Sequence, residues 1–245
     1  MMTMNTLLIT GASGAIGSAA ARALAASGSS LYLHYYSSKE KAEELQQELR
    51  ERFPNQAFLL VCADLSDEKG PECLMAQLDQ PIDGVVYASG NSEINLFQDV
   101  ANEVIKQTIQ LQLTSPFRLL QQLIKPMIHN KRGQILMVSS IWGLEGAATE
   151  VLYSMVKGGQ NAFVKALAKE AAPSGISVNA VAPGAVDTPM MDVFSEEDLK
   201  RVEDEIPMGR MAKPQEVASL INFLMSPSAE YINGQIISIN GAWYC

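Results

Sequence analysis

Cysteine and histidine are scarce in this chain, and the two shortages exclude whole kinds of site. The 245 residues include three cysteines, Cys62, Cys73 and Cys245, and no two of them form a Cys-x-x-Cys pair. The only histidines are His34 and His129, too few for a histidine-rich metal centre. We therefore expect a reduced, cytoplasmic protein without a metal site, in which Cys62 ends an apolar run and packs as a small core residue.

Basic charge and long apolar runs are also missing. The chain has 18 lysines and arginines against 27 aspartates and glutamates, a net charge of −9. Binding to DNA, RNA or an anionic membrane surface needs a basic footprint, so we expect no such partner. No apolar run reaches the roughly 20 residues of a transmembrane helix, and the first residues lack the basic and apolar regions of a secretory signal.

What the chain does contain is a regular alternation of short apolar runs and helical patterns. The strand candidates are Asn5–Thr10, Leu31–Tyr35, Ala57–Cys62, Gly84–Ala88, Gln134–Ser139, Ser177–Val181 and Gln235–Ile239. The helix candidates are Ala15–Ser27, Ser38–Arg52, Asp67–Gln80, Glu103–His129, Tyr153–Ala172 and Pro214–Met225. This alternation predicts an α/β fold with a doubly wound, seven-stranded parallel sheet flanked by helices, in one domain over residues 1–245.

One long connection interrupts the alternation. About thirty residues separate the strand ending near Val181 from the helix beginning at Pro214, and they carry methionine, phenylalanine and many acids. Long excursions at the carboxyl end of a strand often act as lids over a site. We predict a lid over about residues 188–212, containing one or two short helices; the alternative is a plain surface insertion.

The first strand leads into a glycine-rich turn and then into an alanine-rich helix. The turn reads Thr10-Gly-Ala-Ser-Gly-Ala-Ile-Gly17. Glycines let the backbone approach a pyrophosphate, and the helix N-terminus favours the anion. In the first β-α unit of an alternating chain, this order predicts a single-domain Rossmann fold with a dinucleotide site. The alternative is a tight structural turn.

The end of the second strand indicates which dinucleotide is bound. Enzymes that prefer NAD usually place a carboxylate there, on the ribose 2′-hydroxyl. Here the strand ends in Tyr35, followed by Tyr36, Ser37, Ser38 and Lys39, with no carboxylate to repel a 2′-phosphate. We therefore predict NADP(H) as the cofactor.

Two further turns follow strands. Asp64 and Leu65 come after the third strand, where the carboxylate either bonds the adenine amino group or caps the next helix. The small residues Ala88, Ser89 and Gly90 end the fourth strand and permit close approach to a ribose, although a plain strand-ending turn looks the same.

A tyrosine, a lysine and a serine form the candidate catalytic group. Tyr153 and Lys157 are four residues apart, which places them on one face of a helix. An ammonium nearby lowers the pKa of a phenol, whose ordinary value is near 10. Ser140, thirteen residues before Tyr153, ends a strand and can hold a carbonyl oxygen beside the phenol. Alone, the Tyr-x-x-x-Lys spacing is also what a half-buried tyrosine beside a solvated lysine would give.

Together these segments resemble the short-chain dehydrogenase/reductase family over essentially the whole chain. The resemblance rests on TGASGAIG at 10–17, DL at 64–65, the turn at 87–90, Ser140, YSMVK at 153–157 and VNAVAPGAVDT at 178–188. It implies that Tyr153 is the general acid, that Lys157 lowers its pKa and binds the nicotinamide ribose, and that Ser140 orients the carbonyl. It implies a cofactor site made of Gly11, Ser13, Ala15, Ile16, Gly17, Tyr35, Ser37, Ser38, Asp64, Leu65, Ala88, Ser89, Gly90, Tyr153, Lys157, Pro183, Gly184, Val186 and Thr188. It also implies a homotetramer packed through the helices Glu103–His129 and Tyr153–Ala172.

The chain departs from the family pattern at three places. Ala15 stands where compact members often have glycine, and the usual Asn-Asn-Ala-Gly turn is Tyr87-Ala-Ser-Gly90. Gln112 aligns with the asparagine that usually joins the proton relay, so relay through Gln112 is an open question. This departure motivates an alternative of another class, a regulator that binds NADP(H) and catalyses little. The three-residue gap between Tyr153 and Lys157 is that of ketoreductases, since the family's enoyl reductases space the pair more widely.

Within the family the general resemblance is to 3-oxoacyl-carrier-protein reductases, which dock an acidic carrier on basic residues. Lys131 and Arg132 are suited to bind such a carrier. A second position that is typically basic in those reductases is occupied by Ser174, and the lid carries two acidic clusters. Like charges across an interface weaken binding.

A narrower resemblance is to the elongation factor P 5-aminopentanone reductases, carried by the segments at 139–158 and 182–191 and by the ending NGAWYC. Glu145 and Glu150 precede the catalytic tyrosine and suit a cationic substrate, with Trp142 as a further candidate contact. Glu150 is equally well read as an acid at a helix N-terminus. The leading hypothesis is reduction of a ketone on a modified lysine of elongation factor P, with a carrier-protein substrate as the alternative.

Overall fold

A parallel sheet forms the centre of the molecule. The computed structural model describes residues 5–191 and 194–245. Its strands are β1 (Thr6–Thr10), β2 (Ser30–Tyr35), β3 (Phe58–Cys62), β4 (Gly84–Tyr87), β5 (Gly133–Val138), β6 (Ile176–Pro183) and β7 (Ile236–Ile239). They form one sheet in the order β3-β2-β1-β4-β5-β6-β7, and all neighbours are parallel. The predicted α/β fold class is confirmed, and the strand bounds differ from the predicted ones by one or two residues.

Helices cover both faces of this sheet. They are α1 (Ala15–Ala26), α2 (Lys39–Arg52), α3 (Gly70–Met75), α4 (Asn102–Ile109), α5 (Ser115–Asn130), α6 (Val151–Ala171), α7 (Glu196–Glu205) and α8 (Pro214–Leu224). One apolar core joins the sheet to α1, α2 and α8, and a second joins it to α3, α5 and α6. Because helices cover both faces, the strands are mostly apolar. None of the helices in the described residues combines the length and apolarity needed to cross a membrane.

The winding of the chain reverses beside β1. This strand pairs with β2 on one side and with β4 on the other. The chain therefore adds β2 and β3 on one side of β1 and then returns to add β4 to β7 on the other side. Ligands of open α/β sheets bind at such a switch point, outside the carboxyl ends of the strands. The residues that follow Thr10 and Tyr87 therefore lie where the cofactor site is expected.

The long helix predicted over Glu103–His129 is interrupted. A π-helical turn, Gln110–Thr114, separates α4 from α5. Pro116 has no N–H to give to the carbonyls of Leu111 and Gln112, five and four residues before it. Side chains from other elements donate to them instead: the Tyr87 hydroxyl to Leu111 O (2.5 Å) and the Gln160 amide to Gln112 O (2.7 Å). The pattern of backbone hydrogen bonds along the helix is thus interrupted here, and side chains that are distant in sequence bond these carbonyls instead.

Two other expectations near β3 were wrong. The helix predicted over Asp67–Gln80 is only Gly70–Met75, because Asp67 forms a tight turn in which its carbonyl accepts from Gly70 N (3.0 Å). Cys62 is exposed, not a core residue. It ends the edge strand β3, where the Gln77 side chain bonds both its N–H and its carbonyl.

Backbone hydrogen bonds join the two ends of the predicted lid to each other. Val186 and Ala212 form an isolated parallel bridge, with Asp187 N donating to Ala212 O (2.9 Å) and Ala212 N donating to Ala185 O (3.0 Å). Between these ends lie a 3-10 turn, Pro189–Met191, and the helix α7. Residues 192 and 193 of the predicted lid lie outside the described residues.

Candidate active site

The serine, tyrosine and lysine singled out in the sequence lie together. Ser140 is the second residue after the end of β5, and Tyr153 and Lys157 lie on the first two turns of α6. A side-chain hydrogen bond joins Ser140 to Tyr153, and Lys157 Nζ is 5.4 Å from the centroid of the Tyr153 ring. The three polar groups therefore converge at the carboxyl edge of the sheet, as the sequence predicts.

Burial sets the acidity of the two titratable members. It raises the pKa of the Tyr153 phenol, and the nearby Glu150 carboxylate raises it further, against the opposing hydrogen bond from Ser140. The depressed phenol pKa expected from the sequence is thus outweighed by desolvation. Burial lowers the pKa of the Lys157 ammonium to about 7. At neutral pH the phenol carries its proton, and the lysine titrates.

A glutamine that sequence reasoning missed holds the lysine. Lys157 Nζ donates to Val138 O (2.8 Å) and to Gln160 Oε1 (3.2 Å). The amide nitrogen of Gln160 donates in turn to the Gln112 carbonyl, which Pro116 leaves without its helical donor. A polar residue on the buried face of α6 was the available signal, since buried amides need partners.

The Gln112 side chain is buried in the same group. Its amide nitrogen donates to Asn91 O (2.8 Å), while Gln112 Oε1 has no hydrogen-bond partner in the described residues. A Cβ on Gly90 would lie 3.3 Å from this oxygen and 3.6 Å from Lys157 Nζ. The unpaired acceptor and the ammonium thus face the same small residue, so the structure brings Gln112 close to the lysine without linking them directly.

The glycine turn after β1 has the form of a phosphate cradle. Gly11 has a φ of 66°, the left-handed region that glycine tolerates, and a Cβ on Gly17 would lie 2.1 Å from the Gly11 carbonyl oxygen. Helix α1 begins at Ala15 after Gly14, which offers no side-chain cap. The first N–H groups of α1 therefore lack a side-chain acceptor, as an anion site requires.

Two residues that the sequence reasoning passed over fix this cradle. The buried His34 accepts from Gly11 N at Nδ1 (3.1 Å) and lies 3.0 Å from Ala63 O at Nε2. Burial lowers the pKa of His34 to about 4, so the ring is neutral and Nε2 carries the proton. The Thr10 hydroxyl accepts from the N–H groups of Ala88 and Ser89 (3.1 and 3.2 Å), which joins the turns after β1 and β4.

The end of β2 is open to solvent. Ser37 and Ser38 are exposed, and Lys39 pairs with Glu43 at 3.4 Å. Burial alone would raise the pKa of Asp64, but hydrogen bonds from Ser66 and Tyr36 outweigh it and lower that pKa. Asp64 accepts from Ser66 N (2.8 Å) and so caps a local turn, whereas the next helix begins only at Gly70 and Asp64 does not cap it.

The two glutamates predicted to contact the substrate differ in their surroundings. The Glu150 carboxylate accepts from the Ser92 hydroxyl and lies at the N-terminus of α6, beside a small cavity lined by Asn91, Leu152 and Tyr153. Glu145 is exposed and outside that cavity lining.

The remaining predicted cofactor residues follow the strand ends. Ser13, Ile16, Tyr35 and Gly184 are partly buried, Leu65, Pro183 and Val186 are buried, and Thr188 begins the lid.

Comparison with known proteins places the chain in a family. A family model described as Enoyl-(Acyl carrier protein) reductase matches residues 11–242. The chain is 51% identical over 240 residues to YmfI of Bacillus subtilis (strain 168), named an uncharacterized oxidoreductase, with 98% of this chain and 99% of that protein covered. It is 34% identical over 239 residues to the 3-oxoacyl-(acyl-carrier-protein) reductase FabG of Aquifex aeolicus (strain VF5), covering 97% and 96%.

A solved structure supports the same assignment. The crystal structure of the 3-oxoacyl-(acyl-carrier protein) reductase from Brucella melitensis ATCC 23457 superposes with a TM-score of 0.91 at 27% identity, covering 98% of this chain and 91% of that one. The matched sequence, the seven-stranded sheet and the Ser-Tyr-Lys group agree with one another. The chain therefore belongs to the short-chain dehydrogenase/reductase family, whose members are oxidoreductases that use a nicotinamide cofactor.

Proposed function

We propose that this oxidoreductase reduces a ketone to a secondary alcohol, with NADPH as the hydride donor. The observation that carries the proposal is the convergence of Ser140, Tyr153 and Lys157 at the carboxyl edge of the sheet. The glycine cradle fits a dinucleotide pyrophosphate, because α1 begins there with no side-chain cap on its first N–H groups. A bound nicotinamide would supply the hydride.

Each of the three residues then has its own role in the reduction. The Ser140 hydroxyl and the Tyr153 phenol hold the carbonyl oxygen, and Tyr153 gives its proton to the forming alkoxide. The raised phenol pKa keeps that proton in place at neutral pH. Lys157, as the ammonium, would hold the nicotinamide ribose and lower the cost of the phenolate left after proton transfer.

Ketone reduction is favoured over enoyl reduction. The family model bears an enoyl reductase description, but the relatives include the FabG protein and an acetoacetyl-CoA reductase of Acinetobacter sp. (strain RA3849), 32% identical over 247 residues. The three-residue gap between Tyr153 and Lys157 is the ketoreductase spacing.

NADPH is favoured over NADH by the loop after β2. Ser37 and Ser38 are exposed there, and the carboxylate of Asp64 is engaged by Ser66 and Tyr36. No acidic residue lies within positions 35–39 to repel a 2′-phosphate.

The substrate that we propose is the 5-aminopentanone modification on a lysine of elongation factor P. A cationic ketone suits the Glu150 carboxylate beside Tyr153. The alternative is a 3-oxoacyl group on acyl carrier protein, favoured by the FabG relative. The acids of α7 and the engagement of Arg132 by Asn5 weaken a dock for an acidic carrier.

Oxidation of NADPH, followed by its absorbance, tests both the proposed ketone reduction and the proposed substrate. The aminopentanone-bearing factor and acetoacetyl-carrier protein are offered separately, and the factor should be turned over faster. Preference for the carrier protein would overturn the substrate. The change Tyr153→Phe removes the proton donor and should lower kcat by roughly a hundredfold or more with either ketone. Activity that survives this change contradicts the mechanism, and absence of any reductase activity in the wild type favours the regulator.

We also propose self-association through α5 and α6, up to the tetramer that the family resemblance implies. Phe117 is 54% exposed and contacts Phe163 at a centroid distance of 5.9 Å, in an apolar groove that includes Leu120, Ile124 and Leu167. Exposed apolar patches of this kind mark interfaces. The change Phe117→Glu should lower the mass measured by light scattering. The matched change Phe223→Glu, on α8, should leave it unaltered, and an unaltered mass for both variants would refute this interface.

A further inference from the structure

Three aromatic side chains contact one another beside Ser140. The ring centroid of Trp142 is 5.3 Å from that of Trp243 and 5.6 Å from that of Tyr244, and the latter two are also 5.6 Å apart. These three residues are here called the aromatic cluster. It contains both tryptophans of the chain.

The aromatic cluster lies at the ligand-binding edge of the sheet. Trp142 follows β5 and donates its backbone N–H to Ser140 Oγ (3.2 Å), while the other two rings follow β7. The segment after β7 touches the lid, because Met208 N donates to Gly241 O (3.3 Å). The rings therefore lie between the Ser140 turn and the end of the lid, where a substrate held at Ser140 would extend.

The exposure and charge around these rings suit a cation. Trp142 and Trp243 are partly exposed and Tyr244 is 38% exposed, so the rings keep accessible surface. Among the described residues, the protein cations that lie over aromatic rings are Arg52 and Lys157, and neither covers this cluster. Positions 141–152 and 234–245 carry two glutamates and no lysine or arginine. Such rings attract an ammonium group through their negative faces.

We propose that the aromatic cluster binds the ammonium group of a cationic ketone whose carbonyl lies at Ser140 and Tyr153. This proposal rests on the carbonyl reduction proposed above and assigns the site that selects its substrate. An exposed to partly desolvated cation–π contact changes affinity by roughly two- to thirtyfold. The effect should fall on KM, because the cation is remote from the reacting carbonyl.

A matched pair of ketones tests the proposal. One carries a trimethylammonium group three methylenes from the carbonyl and cannot cyclise; the other carries the isosteric, uncharged tert-butyl group. The wild-type protein with NADPH should prefer the cationic ketone in kcat/KM by roughly tenfold. Trp142→Leu and Tyr244→Leu should each lower this ratio severalfold, the Glu150 carboxylate being unchanged, whereas Tyr244→Phe should keep it. Tyr231, fully exposed, provides the control change Tyr231→Leu, which should leave the ratio unaltered.

A binding measurement separates failure of this site from failure of the reductase proposal. Both tryptophans lie in the cluster, so tryptophan fluorescence reports on it directly. The cationic ketone should change that fluorescence at lower concentration than its uncharged isostere, even if neither is reduced. Equal titrations of the two compounds, or a kcat/KM ratio that survives both leucine changes, would overturn the cation site.

Discussion

The Lys157 ammonium is held by neutral acceptors, the Val138 carbonyl and the Gln160 amide oxygen. No carboxylate forms an ion pair with it in the part of the chain that the structure describes. Burial without a compensating charge lowers its pKa to about 7, close to working pH. A single neighbouring side chain can therefore decide whether the lysine is charged when substrate is bound.

Changing Gln160 should move the alkaline limb of the pH–rate profile. Gln160→Leu removes an acceptor and leaves the Gln112 carbonyl unpaired, so the apparent pKa in kcat/KM should fall by about one unit. Gln160→Glu places a carboxylate beside the ammonium and should raise that pKa. Profiles measured with a saturating cofactor check both signs. Shifts of the same sign in the two variants would show that Gln160 does not act through Lys157.

At the scale of elements, the π turn connects a proline to the lysine. Pro116 withholds an N–H, the Gln112 carbonyl accepts from Gln160 instead, and Gln160 binds Lys157. The sequence was sufficient for the strands, because most of them are apolar runs buried on both faces. It was not sufficient for this turn, because its donors, Tyr87 and Gln160, lie 24 and 48 residues away in sequence. Ser140, Tyr153 and Lys157 were predicted from their spacing, whereas Gln160 belongs to no such pattern and its only signal was a polar residue on the buried face of α6.

Restoring the missing donor tests this connection. Pro116→Ala supplies an N–H that competes with the Gln160 amide for the Gln112 carbonyl. The apparent pKa of the alkaline limb should then fall, by less than in Gln160→Leu, while the free energy of unfolding changes little. The pH–rate profile measures the apparent pKa, and a denaturant titration measures the free energy of unfolding. Pro126→Ala, farther along α5, is the matched control and should leave the limb in place; an identical response of both proline variants would contradict the connection.

At the scale of the whole molecule, one buried histidine couples the cofactor cradle to global stability. His34 joins the Gly11 turn to Ala63, and it is neutral because burial lowers its pKa to about 4. The unfolded chain binds a proton at this residue below about pH 6.5, whereas the folded chain resists it until about pH 4. The free energy of unfolding therefore falls as pH falls through this window, and the loss from this group is roughly 3 kcal/mol.

Denaturant titrations between pH 7 and pH 4 check this sign. The change His34→Gln removes the titrating group, so its free energy of unfolding should fall less steeply with acidification than that of the wild type. The exposed His129 provides the matched control, and His129→Gln should follow the wild-type curve. Parallel curves for wild type and His34→Gln would mean that protonation of His34 in the folded protein does not lower the free energy of unfolding.

The bridge between Val186 and Ala212 separates the segment that it encloses from the rest of the fold. Because the two ends of the lid are tied to each other before the chain reaches α8, the intervening residues form a loop whose closure is already met by backbone hydrogen bonds. Lengthening such a loop costs only a logarithmic increment in entropy. The length of this segment can therefore change at small entropic cost while the sheet and the Ser-Tyr-Lys group stay in place.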